Sequence, residues 1–326
     1  MTDSARAARA TPSASAVSAE WRFPNRATPP GSSAYYSVRL AAAAHRDALA
    51  ALFAWRAELR AILDRISDPG VARIKLDWWR AELERLFAGA PRHPLSEALA
   101  PVVVADQLPE QPFVAIIASV ETALQNPRYP DLVAQRHADE QDFGALFELL
   151  ARCEGADDQE QLTTARRTGG WCAQVRRIRD AGRLLRQGRE VLTADQLAAA
   201  GLSHQQLASA DGRQRLPELL RPIAAQLLAA APDRPEPETE PKQTETQQNQ
   251  SLQPSQAAAN PKRSQRFGVF LAPKTRRTLT GLTPALRVQL RLHQDLLSVL
   301  ERSGFDVADQ RIGLTPLRKL WLAWRP

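Results

Sequence analysis

The stretch "RRIRDAGRLLRQGREVLTADQLAAAGLS", residues 176–203, decides how the rest of the chain is read. It opens as helix, because Arg, Leu, Ala and Gln are strong helix formers and Ile178, Leu184 and Leu185 recur at helical spacing. After a Gly–Arg pair it passes into short helices with start signals of their own. Ser203 is placed as an N-cap, with Gln206 three residues on to complete a capping box. Its charge is as telling as its periodicity. Residues 165–189 hold eight arginines and one acid, Asp180, an excess as large as the +7 of the whole 326-residue chain. The basic character is therefore local, as expected where a protein meets anions.

The same helical grammar extends in both directions. Hydrophobic residues make up 44% of the chain, enough for a sizeable core, and only 15 residues are Gly. Residues 31–66 read as helix throughout or as two helices broken near residue 44, with Leu49, Leu52, Trp55, Leu59 and Leu63 forming an apolar stripe. "SDPG" (67–70) stops that helix. A second helix is expected over 70–89, with Val71, Ile74, Trp78, Trp79, Leu83 and Leu86 as its inner face. Further helices are expected over 95–107, 111–126, 139–153, 158–187, 214–231 and 283–303, and "TPLRKLWLAWR" closes the chain as another. No short sequence period recurs. The fold class is all-α, a helical bundle.

Residues 1–30 read as a disordered head, and 232–265, rich in Pro, Gln, Glu and Thr, as a disordered insertion. A helical domain over 31–231 and the C-terminal helices over 266–326 are expected to share one bundle. No apolar run reaches the roughly 18 residues a membrane span needs, and residues 1–30 lack the apolar core of a secretory signal. The localisation expected is cytoplasmic, with peripheral membrane contact as an addition. Cys153 and Cys172 read as buried thiols, because no CxxC or Cys/His cluster accompanies them. The five histidines are scattered, and no Walker or GxGxxG motif occurs. The arginine cluster lacks interleaved aromatics, so no nucleic-acid partner is expected. The pair "GG" at 169–170 reads as a point of close helix packing. Tryptophans 321 and 324 are expected to pack on the bundle more readily than to lie in a membrane interface.

Three segments in this order, "GSSAYYSVRLAAAAHRDALAALFAWRAEL", "WWRAELERLFAG" and "RDAGRLLRQGREVLTADQLAAAGLS", resemble the squalene/phytoene synthase family over roughly residues 31–230. The "QGREVLTADQLAAAGLS" piece is the most specific part of the likeness. The resemblance implies an isoprenoid-synthase-type bundle, whose members join two prenyl diphosphates head to head. That chemistry uses Mg²⁺, held by carboxylates at i and i+4 on two facing helices, to draw off a diphosphate.

Laid on this chain, the first acidic motif falls on "RAILD" (60–64). Arg60 stands at the leading aspartate position and Ala61 at the next, so Asp64 alone remains. A shifted pairing of Asp64 with Asp68 has the right spacing, but Asp68 precedes Pro69 and suits the cap of the next helix better. The second motif keeps Arg179 and Asp180. Arg176 replaces the expected asparagine, Arg183 the glutamate, and Leu184 the second aspartate. The metal ligands left are Asp64 and Asp180, and an active enzyme would rely on Asp64, Asp68 and Asp180.

The resemblance thus implies two outcomes. In the first, the protein is non-catalytic and needs no cofactor, like a branch of the family that resembles assembly factors for respiratory complex I. Arg60, Arg176, Arg179 and Arg183, with Ser33 and Tyr36, would then bind a prenyl diphosphate or lipid-like ligand, with a protein partner as well or instead. Alternatively these arginines pair with Asp64 and Asp180 and merely fill the cavity. In the second outcome, the protein is an active Mg²⁺-dependent prenyltransferase of the squalene or phytoene synthase type.

Overall fold

The computed structural model of the chain describes residues 19–66, 68–232 and 281–324. The heads of the expected disorder (1–18 and 233–265) and residues 266–280 lie outside the described residues. Fifteen α-helices appear among those described. They are α1 (Ser33–Leu40), α2 (Arg46–Arg65), α3 (Pro69–Phe87), α4 (Pro94–Ala105), α5 (Glu110–Leu124), α6 (Leu132–Asp139), α7 (Ala145–Cys153) and α8 (Gln159–Arg179). After them come α9 (Ala181–Arg186), α10 (Ala194–Ala199), α11 (His204–Ala208), α12 (Ala210–Gln214), α13 (Leu216–Ala229), α14 (Pro284–Arg302) and α15 (Pro316–Trp324). No strand is found among the described residues, and none of these helices is long and apolar enough to cross a membrane.

Helix α2 is the central post. Leu49, Leu52, Trp55 and Leu59 are fully buried, and Trp55 meets Trp79 of α3 and Phe113 of α5 edge to face at 5.1 and 5.5 Å. Such pairs add about 0.5–1.5 kcal/mol each beyond the area they bury. The chain leaves α2 in extended form at Ile66, and Asp68 then caps α3 by accepting from the amides of Gly70 and Val71 at 2.7 and 3.1 Å. Asp64 and Asp68 therefore belong to different helices.

Four boundaries and faces differ from the sequence reading. The inner face of α3 is Ala72, Leu76, Trp79, Leu83 and Leu86, while Val71, Ile74 and Trp78 are exposed. Both sets have helical spacing, and the contact of Trp79 with Trp55 selects one. The helix expected over 158–187 breaks at Asp180, where α8 ends and α9 begins. Residues 19–30, placed in the head by sequence, pack on the bundle. Trp21 is buried, and the Asn25 amide donates to the carbonyls of Trp21 and Ala50, both at 3.0 Å. Helix α6 was not anticipated; Asp131 caps it by accepting from the Ala134 amide.

The segment Glu140–Gly144 is a single π-helical turn between α6 and α7. It lies directly on the "GG" of α8. A Cβ on Gly169 would meet the Phe143 carbonyl oxygen at 2.5 Å and the Gly144 Cα at 2.6 Å; one on Gly144 would meet the Arg166 carbonyl oxygen at 2.6 Å. The two backbones touch because neither carries a side chain there. The π turn consequently holds Asp142 and Phe143 beside the α8 residues two turns further on. Cys153 and Cys172 are free and buried.

Gly169→Ala should therefore lower stability by about 2 kcal/mol or more, read from the urea midpoint. Gly89→Ala, at φ +76° with nothing within 4 Å of its Cβ, should cost about 1 kcal/mol. Equal losses would mean the contact of α8 with the π turn is not tight.

Candidate functional site

A cavity of about 480 Å³ opens between α1, α2, the π turn, α8, α14 and α15. Each element brings a different kind of group. Helix α2 contributes Arg56 and α8 contributes Arg176 and Arg179, while Arg311 and Lys319 arrive from the C-terminal segment. Phe53, Phe143, Leu292, Leu296, Ile312 and Leu314 supply an apolar remainder. Among the described residues, five cations thus line one cavity and no carboxylate does.

Two carboxylates sit just behind these cations. Asp142, on the π turn, accepts two hydrogen bonds from Arg56 at 2.7 and 2.6 Å and lies 3.4 Å from Arg60. The two guanidinium groups hold its carboxyl below the usual range although burial opposes this. Asp180, at the α8–α9 junction, accepts from Arg179 at 3.0 and 2.5 Å and from Arg311 at 2.9 Å. Burial would raise its pKa; the bonds from Arg179 and Arg311 lower it. Both acids are thus spent on arginines.

Arg176 is left over. It has no carboxylate within ion-pairing distance among the described residues, and its guanidinium lies 4.9 Å from the centroid of the Phe143 ring. Arg56 lies 4.7 Å from the same ring. Burial, followed by repulsion from Arg179 and Arg56, pulls the pKa of Arg176 down to about 9. It remains charged at neutral pH, yet its charge is poorly compensated. Lys319 is depressed by burial, Arg179 and Arg311, and donates to the Gly31 carbonyl at 2.9 Å. An anion entering this cavity relieves repulsion that the protein alone does not relieve.

Of the residues singled out from sequence, Ser33, Arg176 and Arg179 line the cavity. Ser32 lines it too and caps α1 by accepting from the Tyr35 amide at 3.0 Å. Tyr36 is not among the lining residues; it is buried, and its hydroxyl donates to the Pro316 carbonyl at 2.9 Å, tying α1 to α15. Arg60 stands behind Arg56 on Asp142. Arg183 is half exposed, lies 3.9 Å from Asp180 and donates to Gln187 at 3.2 Å. Asp64 is largely exposed at the end of α2, 3.9 Å from Arg189, and Asp68 is occupied as a cap.

Sequence reasoning missed Arg56, Arg311, Lys319 and His293. Arg311 reaches Asp180 across 131 residues, a separation at which a single sequence carries no pairing signal. Lys319 reaches the Gly31 carbonyl across 288 residues, a separation just as silent in a single sequence.

Magnesium favours about six hard oxygen ligands. Among the described residues no three His, Cys, Asp or Glu side chains gather around one point. Asp180 already has two arginines on its oxygens, and Asp64 faces Arg189. This donor set does not fit the ion.

The squalene/phytoene synthase family model matches residues 27–232. Chloroplastic phytoene synthases from an Oncidium hybrid cultivar and from Arabidopsis thaliana are each 29% identical over 179 residues, which is 53% of this chain. The matched part spans 43% and 42% of those relatives, less than half of their length. Among solved structures, a dehydrosqualene synthase in complex with ligand superposes with a TM-score of 0.65 at 14% identity, covering 89% of both chains. The squalene synthase HpnC from Alicyclobacillus acidocaldarius gives 0.56 at 17% identity, covering 83% of this chain and 89% of that one. These likenesses show a shared all-α, isoprenoid-synthase-type fold.

The site also has a pH signature. His293 lines the cavity, and its Nδ1 contacts the Gln289 carbonyl at 2.7 Å, so Nδ1 carries the proton. Burial first, then the charge of Arg176, lowers its pKa from 6.5 to about 3. The unfolded chain takes up this proton more readily, so the stability it contributes is complete above about pH 6.5 and is lost as pH falls toward 3. Asp139, bonded to Arg177, has the opposite sign. Burial raises it to about 6, so its contribution grows as pH falls through 6. Melting curves between pH 7 and pH 5 should show a smaller loss for His293→Gln than for the wild type, and a steeper loss for Asp139→Asn. Parallel curves for all three would contradict this assignment.

Proposed function

The chain belongs to the squalene/phytoene synthase family, and from that premise we propose that it binds without condensing. In this reading it holds a prenyl diphosphate, or a lipid-like molecule with a phosphate head, on guanidinium groups rather than on magnesium. Arg176 is the observation that supports it: a half-buried cation with no carboxylate of its own among the described residues, in a cavity where Arg179, Arg311 and Lys319 converge.

The chemistry follows from the inventory of charges. A guanidinium offers two parallel N–H donors that match two oxygens of a phosphate. Each such charge-assisted bond contributes about 1.5–3 kcal/mol in a partly buried site. The apolar remainder of the cavity, with Phe53, Leu292 and Leu296, suits a hydrocarbon tail. Head-to-head condensation makes a different demand. It asks for two bound diphosphates and charge stabilisation on the one that departs. Asp64 and Asp180 are the carboxylates left at the family's motif positions, and each faces arginine. A protein partner, as in the assembly-factor-like branch, belongs to this proposal on the resemblance alone.

Inorganic pyrophosphate and farnesyl thiodiphosphate should raise the melting temperature in the presence of EDTA. Arg176→Ala should weaken either ligand by about tenfold or more, as loss of one charge-assisted contact implies. Farnesyl or geranylgeranyl diphosphate incubated with the protein and Mg²⁺ should release no pyrophosphate. Release that disappears in Asp64→Ala or Asp180→Ala would replace this reading with that of an active prenyltransferase.

A further inference from the structure

The side of the cavity that carries Arg311 and Lys319 is built unlike the others. It is the chain from Ala308 to Trp324, which ends in α15. Its root is packed: Phe305 and Val307 are buried, and a Cβ on Gly182 would run into the carbonyl oxygens of Val307 and Ala308. Beyond that root, Leu314 and Ala323 are the buried residues. Leu317 and Trp324 are 79% and 81% exposed and Trp321 is 52% exposed, against the expectation that the tryptophans pack on the bundle. Polar ties hold the segment down. Arg318 donates twice to Asp295 of α14 at 2.6 Å, Lys319 donates to the Gly31 carbonyl, the Tyr36 hydroxyl donates to the Pro316 carbonyl, and Arg311 donates to Asp180, the last three at 2.9 Å. Sparse apolar burial with polar bonds near the surface is the make-up of parts that open locally at low cost.

Charge opposes the closed position. Arg311 and Lys319 come from this segment and meet Arg176 and Arg179 of α8 in one cavity. Burial, then the charges of Arg179 and Arg311, lower the pKa of Lys319. Asp180 answers Arg179 and Arg311, but no carboxylate lines the cavity among the described residues. Closing the segment therefore brings like charges together, and an anion between them reverses the sign of that interaction. A ligand shifts such an equilibrium by its difference in affinity for the two positions. Here the difference is concrete: with the segment lifted, an anion keeps Arg176 and Arg179 and loses Arg311 and Lys319.

We propose that residues 308–324 form a strap that an anion in the cavity draws shut, through Arg311 and Lys319. This deepens the proposed function and rests on its phosphate reading. The strap lifts about the packed root at Phe305 and Val307 to admit the ligand, and the phosphate head then supplies the charge that holds it closed. Ile312 and Leu314 travel with it and also line the cavity, so closure covers the apolar part of the ligand together with its head.

Hydrogen–deuterium exchange of the full chain in EDTA, with and without inorganic pyrophosphate, tests this. At about ten times its Kd, pyrophosphate should slow exchange in α15 about tenfold, because the lifted form lacks two of the charged contacts. Helices α11 and α12, which do not line the cavity, should exchange as before. Lys319→Gln should lose most of the slowing in α15, and Lys319→Arg should keep it. Arg176→Gln removes an opposing charge and leaves every polar tie in place, so α15 should exchange about twofold more slowly, or slower still, in the ligand-free variant than in the ligand-free wild type. Pyrophosphate that raises the melting temperature but leaves α15 exchange unchanged overturns the strap and leaves the phosphate reading standing. Equal slowing of α11, α12 and α15 overturns it too, as general stabilisation. Equal or faster α15 exchange in Arg176→Gln removes the repulsion on which the strap depends. Pyrophosphate that neither stabilises the protein nor slows α15 overturns the phosphate reading and the strap with it.

Discussion

Asp142 and Asp180 are each claimed by more than one arginine, and the charge of the cavity follows from that fact. Asp142 takes Arg56 and Arg60; Asp180 takes Arg179 and Arg311, with Arg183 3.9 Å away. Buried carboxylates are costly without partners, so these pairings are needed whatever the cavity holds. Their consequence is that no acid among the described residues remains for Arg176. A site lined in this way has the electrostatic sign of a phosphate receptor rather than of a cation receptor. On the proposed function, guanidinium groups take the place of metal in holding a ligand of the family's class.

The arrangement depends on backbone proximity as much as on charge. Gly144 and Gly169 let the π turn lie against α8, and that contact sets Asp142 and Phe143 opposite Arg56 and Arg176. π-helical turns occur often at functional sites, because one extra residue re-aims the side chains around it. Here the turn aims one carboxylate at α2 and one aromatic ring between two guanidinium groups. The C-terminal segment then closes the cavity with Arg311 and Lys319, which are far in sequence from the helices they meet.

The all-α class, the central stripe of α2 and the caps at Asp68 and Ser203 were legible in the sequence, because they are local signals. So was the "GG" contact, since two adjacent glycines in a helix have few other uses. What escaped was non-local. The inner face of α3 rested on which of two stripes meets Trp55. The break at Asp180 falls in a run of strong helix formers and follows from the pairing with Arg179 and Arg311. Arg176 and Arg179 were legible through their motif positions, whereas Arg311 and Lys319 had no sequence neighbour to give them away. Tyr36 and Arg183 were misplaced for the same reason: motif position fixes a helix turn but not what the side chain reaches across the bundle.

The central claim is that guanidinium groups, and not metal, meet the phosphates in this cavity. The most direct measurement is an anomalous difference map from a crystal of the protein grown with farnesyl thiodiphosphate and Mn²⁺. We expect diphosphate density against Arg176, Arg179 and Lys319 with no manganese peak beside it. Manganese peaks bridging the diphosphate to Asp64 or Asp180 would contradict the account.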